Sequence, residues 1–199
     1  MGGSLLILLC FCSGLVLARL ELVPHWLLQD DVVLWLLWLL MLLVGLSIGS
    51  DRRLGEILRT LRPGVLLLPL ATTIGTFAGS AIAALFLSYT LAECLAVGAG
   101  FAYYSLSSVF ITQYKGAELG TVALLANILR ELITLLATPL LIRLLGPLAP
   151  ISCGGASTMD TTLPVIARYC GREWVFISIA HAMVLDFSVP FWVMFFCSL

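Results

Sequence analysis

Apolar residues in this chain come in long runs and not in the strict alternation of strands. Five stretches, residues 4–18, 32–50, 64–87, 119–145 and 175–196, stay apolar over lengths near the roughly 20 residues an α-helix needs to cross lipid hydrocarbon. Two more, residues 91–114 and 147–169, are interrupted by small and polar side chains. The first carries Tyr103-Tyr104-Ser105-Leu106-Ser107-Ser108, the second Cys153-Gly154-Gly155-Ala156-Ser157-Thr158-Met159-Asp160-Thr161-Thr162. Each predicts a broken helix or a re-entrant hairpin. Pro147, Pro150, Gly154, Gly155 and Pro164 leave the second segment no helical run long enough to span, which favours re-entrance there. The pattern predicts an all-α polytopic membrane protein with five clear transmembrane helices and two broken or re-entrant segments.

The interrupted segments open two half-repeats set 55 residues apart. Ile111, Tyr114, Gly116 and Glu118 in the first copy match Ile166, Tyr169, Gly171 and Glu173 in the second, and Glu131 matches Asp186. If each copy has one crossing and one hairpin, the two lie inverted in the bilayer and can rock about a site near its midplane. A single transport domain is expected over residues 1–199, with scaffold helices in 1–90 and repeat units in 91–145 and 147–199.

Composition narrows the class. With 61% hydrophobic and 11% charged residues, the chain cannot cover a soluble surface with polar groups. A net charge of −1 gives no electrostatic footprint for nucleic acid. The six cysteines show neither CxxC nor metal-ligand spacing and read as small apolar residues; no cofactor or metal is implied. Residues 2–18 resemble a signal peptide but lack a basic start, so a retained first helix is expected. Arg52, Arg53, Arg59 and Arg62 place the loop after the second helix in the cytoplasm, and helix parity then puts the C-terminus outside.

Ionisable groups inside apolar segments cost about 2.5 to 3.5 kcal/mol each at a helix centre, so their presence points to function. They are Glu93, Arg130, Glu131, Asp160, His181 and Asp186. Asn127 shares a helical face with both Arg130 and Glu131, while those two neighbours diverge by about 100° and do not neutralise each other directly. Glu131 either pairs with a cation from elsewhere to hold helices together or serves a ligand. Asp160 lies in a break whose freed backbone groups need protein or a wet cavity, and either caps the next helix or lines that cavity. His181 reads as a packing residue, with a proton path as the alternative, and Glu93 falls close to the membrane surface.

Ser105, Ser107 and Ser108 supply hydroxyls at one break, and Ser157, Thr158, Thr161 and Thr162 supply them at the other. Two such breaks facing each other, with Asn127, Arg130, Glu131, Asp160 and Asp186 nearby, suit a cationic amino acid. Amides at half-helix ends take its carboxylate and the acidic side chains its ammonium groups. An acid emptied in low dielectric gains proton affinity, so proton exchange follows.

Tyr103-Tyr104-Ser105-Leu106-Ser107-Ser108, Asn127-Ile128-Leu129-Arg130-Glu131 and the string from Gly154 to Pro164 resemble the signature of the lysine exporter (LysO) family of bacterial inner-membrane proteins. The resemblance covers most of the chain. It implies export of L-lysine and of analogues such as thialysine by proton antiport, with Glu131 and Asp160 as the motif acids. Asp186 rests on the repeat alone. Typical members carry further N-terminal helices, which implies either a small membrane protein that supplies them or a homo-oligomer.

Two other readings stay open at this level. One is a non-catalytic membrane subunit that needs a small partner protein for transport. The other is an intramembrane aspartyl protease using Asp160 and Asp186, which the flexible setting of Asp160 disfavours.

Overall fold

In a computed structural model the chain clusters into two compact units, Met1–Ser47 and Ile48–Leu199. The structure describes residues 63–199 throughout, together with Ser13, Val16, Leu17, Arg19, Leu20, Pro24, Val32, Trp35, Leu39, Leu42 and Leu46. In the first unit, Ser13, Val16, Leu17 and Arg19 and then Val32, Trp35, Leu39, Leu42 and Leu46 are helical. Most of the two N-terminal spans and the four arginines Arg52, Arg53, Arg59 and Arg62 lie outside the described residues.

From Pro63 onward every regular element is helical. The order is α1 (Pro63–Ala84), α2 (Leu91–Gly98), α3 (Tyr104–Lys115), α4 (Ala117–Leu145), α5 (Leu148–Gly154), a 3₁₀ turn (Gly155–Met159), α6 (Leu163–Tyr169), a second 3₁₀ turn (Arg172–Trp174) and α7 (Val175–Cys197). The three long helices fall where apolar run length places them. At 1.5 Å per residue they measure about 33, 43 and 35 Å, against a hydrocarbon core of about 30 Å. Leu67–Ala84 and Arg172–Cys197 are long and apolar enough to cross a membrane. The even longer α4 carries Arg130 and Glu131 at its centre. Five spans were expected; the described residues hold these two that meet the length and polarity requirement.

Apolar side chains are as common on the outside of this unit as within it. Leu67, Leu70, Ile74 and Ile82 on α1, Leu125, Leu129, Leu136 and Leu140 on α4, and Phe187, Phe191 and Phe195 on α7 are all exposed. Water does not tolerate such a surface, and lipid does, so the unit is membrane-embedded. The interior is a thin seam. Phe77 of α1 packs against Phe101, Trp192 and Phe196 at ring distances of 5.8, 5.1 and 5.0 Å. At the α3–α4 crossing, a Cβ on Gly120 would sit 1.8 Å from Thr112 Oγ1, so only glycine permits that approach.

The same sequence of elements occurs twice: short helix, break, short helix, glycine joint, long helix. The joints are Gly116 and Gly171, with φ of 97° and 108°, and Ile111 and Ile166 before them are both fully buried. The first break lies elsewhere than the hydroxyl string suggested. Tyr104 to Ser108 form the opening turns of α3, and the chain unwinds at Ala99–Tyr103 instead. There Phe101 and Ala102 adopt φ of 44° and 70°, which side-chain-bearing residues rarely do.

Candidate functional site

The two breaks touch through their main chains. Ala156 N donates to Phe101 O at 2.8 Å, and Gly155 approaches so closely that a Cβ on it would lie 2.3 Å from the same oxygen. Gly155 has φ of 62°, so both its conformation and its neighbour demand glycine.

Backbone groups freed by unwinding must find partners, and where turn bonds do not reach at the first break a side chain serves. Asn127 of α4 accepts from Ala102 N at 2.8 Å and donates to Val97 O at 3.1 Å and to Ala123 O at 2.9 Å. Its hydrogen-bonding capacity is thereby spent on the fold.

Arg130, one turn further along α4, serves the second break. Its Nε donates to Cys153 O at 2.8 Å and its Nη2 to Ser152 O at 3.2 Å, and the guanidinium lies 5.8 Å from the centre of the Phe101 ring. These carbonyls close α5, so a cation there matches both the orphan acceptors and the negative end of the helix. Glu131 points elsewhere. It is partly exposed and makes no hydrogen bond or ion pair with any described residue.

Most predicted hydroxyls also work on the backbone. Ser107 Oγ donates to Tyr103 O at 2.8 Å, Ser108 Oγ to Ser105 O at 3.4 Å, Ser157 Oγ to Gly154 O at 3.0 Å and Thr162 Oγ1 to Ser157 O at 3.1 Å. Thr158 is tied twice across to α7: its Oγ1 donates to Ser178 O at 3.3 Å, and Ser178 Oγ returns a bond to Thr158 O at 2.8 Å. Ser105 is exposed and free of such bonds. Thr161 is exposed beside Asp160, whose Oδ1 accepts from both its amide and its hydroxyl.

Asp160 is exposed at the end of the second break, while Asp186 on α7 is buried. Thr158, two residues before Asp160, is bonded to Ser178 on α7, the helix that carries Asp186, and Met159 packs against Ala180 and Met183 of the same helix. Sequence reasoning had passed over Ser178, one of two serines in a mostly apolar helix. His181 is fully buried; its Nε2 is 3.0 Å from Thr72 Oγ1, and its Nδ1 has no partner among the described residues.

A groove of about 420 Å³ runs between α1, α2 and α4, with Tyr89 and Leu119 among its walls and Asn127 and Arg130 on its lining. Near its Tyr89 end, the Tyr89 hydroxyl donates to Glu118 Oε1 at 3.1 Å. That acceptor holds the phenol above its usual pKa, because ionising it would set two negative charges in contact.

The chain is 32% identical over 158 residues to the lysine exporter LysO of Escherichia coli (strain K12), an alignment covering 79% of the chain and 52% of the relative. It is 36% identical over 126 residues to a putative lysine exporter of Haemophilus influenzae, covering 63% of the chain and 64% of that protein. The matched region thus spans between half and two-thirds of these relatives. No solved structure matches. A family model described as lysine exporter LysO matches residues 8–197, nearly the whole sequence, and the chain belongs to that family.

Proposed function

We propose that the chain exports L-lysine and lysine analogues such as thialysine from the cytoplasm by exchange with protons. The observation that carries this reading is the second break, packed on the first, ending in exposed Asp160 and bonded through Thr158 to the helix of buried Asp186, inside a unit whose surroundings are apolar. A lysine ammonium and a proton compete for such carboxylates: whichever leaves, the other restores neutrality in low dielectric. Glu131, without a partner among the described residues, is a second acceptor on α4. The hydroxyls of Ser105 and Thr161 are placed to touch substrate. Those of Ser107, Ser108, Ser157, Thr158 and Thr162 hold the breaks in shape, as do Asn127 and Arg130.

Residues 91–145 and 147–199 are the two moving halves, lying inverted in the inner membrane, with the C-terminus outside. Rocking of one against the other exposes the acids to either face. The exposed apolar side of α1 supports a second reading, in which a small partner protein or a second copy completes the transporter.

Efflux of labelled lysine from proteoliposomes under an imposed pH gradient tests both. The chain alone is expected to export lysine, and Asp160→Asn and Glu131→Gln to abolish export. Normal rates in both variants overturn the acid assignment, and efflux only after a partner is added selects the second reading.

A further inference from the structure

The groove between α1, α2 and α4 has on its lining Arg130, a cation without a counter-charge among the described residues. Arg130 spends two of its five N–H groups on the Ser152 and Cys153 carbonyls and pairs with no carboxylate among the described residues. Its adjacent Glu131 leaves α4 about 100° away. A guanidinium in lipid-depth protein with only carbonyl partners favours an anion beside it.

Depth restricts which anion. Leu119, Val122, Ala126 and Arg130 line the groove from one face of α4, so Arg130 lies about 16 Å along the helix from Leu119. That places it at the middle of α4, well below the headgroup level where a lipid phosphate resides. A volume of about 420 Å³ is within the usual span of small-molecule sites. Thr76 and Ser80, one turn apart on α1, also line the groove, and neither hydroxyl makes a hydrogen bond with a described residue. A cation and two free hydroxyls are the complement of a carboxylate beside an ammonium group.

We propose that this groove binds the α-amino-carboxylate end of an amino acid, with the carboxylate on Arg130 and the α-ammonium on Thr76 and Ser80. The assignment rests on the exporter reading for its substrate class and adds the part of the protein that recognises the carboxylate. Amines without a carboxylate gain nothing from the groove.

Binding of labelled lysine, norleucine and cadaverine to the whole purified chain in nanodiscs tests it. Norleucine keeps the α-amino-carboxylate and lacks the terminal ammonium; cadaverine keeps both amines and lacks the carboxylate. Arg130→Gln is expected to weaken lysine and norleucine by at least about tenfold, the loss of one charge-assisted pair, and to leave cadaverine unchanged. Because Arg130 also holds α5, Gly79→Leu provides the independent variant. Gly79 lines the groove, and a Cβ there meets nothing within 4 Å, so leucine fills the space without displacing the fold. It is expected to have the same effect as Arg130→Gln.

Unchanged lysine and norleucine affinity in both variants overturns the groove. So does failure of norleucine to bind, or a tightly held phospholipid that Gly79→Leu expels while no amino acid binds. Lysine efflux measured alongside separates the two ideas. Efflux that ignores both groove variants keeps the exporter and removes the groove, whereas norleucine bound without lysine efflux keeps the groove and removes the exporter.

Discussion

The two broken helices solve one problem in opposite ways. Both must find partners for backbone groups that unwinding sets free at membrane depth. The first has no polar side chain of its own between Ala99 and Ala102 and relies on Asn127, an amide from another helix, to hold it. The second satisfies itself with Ser157, Thr158 and Thr162 and takes help from Arg130 and Ser178 at its edges. The first is sealed, with Phe101 and Ala102 buried; the second ends in exposed Asp160 and Thr161. One break is therefore an anchor, and the other ends in an exposed carboxylate.

That contrast can be broken at the contact between them. Gly155→Ala puts a methyl into the Phe101 carbonyl and forces an unfavourable φ, which should cost about 3 kcal/mol or more and show as a large fall in thermal unfolding temperature in detergent. Asn127→Leu leaves the Ala102 amide without its partner and the Val97 carbonyl with the Gly100 amide alone. At about 1 to 3 kcal/mol for the orphaned amide, we expect a loss at or below that of Gly155→Ala, with hydrogen exchange rising at Ala102 before it rises in α4.

Arg130→Lys keeps the charge but not the fork that reaches two carbonyls, for an expected loss of about 1 to 2 kcal/mol. Ser178→Ala removes a single bond to Thr158 O, worth about 1 kcal/mol. Asp160→Asn sharpens the comparison most. Its carboxylate touches only the adjacent Thr161, so unfolding should move by less than about 0.5 kcal/mol while lysine export is lost. A large stability loss in Asp160→Asn would make the second break an anchor too.

Much of the architecture was legible in the chain. Apolar run length located α1, α4 and α7 to within a few residues, and the prolines and glycines around Gly155 marked the second break. The first was misplaced because its cause is not local. Phe101 and Ala102 hold their left-handed backbone through a side chain 25 residues downstream of Ala102 and a peptide in the other break, and no spacing rule reports that. For the same reason the bonds of Asn127 and Arg130 to main-chain atoms were not legible from spacing. The tie between the second break and α7 through Thr158 and Ser178 likewise needed tertiary structure, since the two residues are 20 positions apart and on different elements.

The bond between Ala156 N and Phe101 O involves no side chain at all. Side chains around the two breaks can therefore change without loosening the crossing point, provided position 155 stays bare.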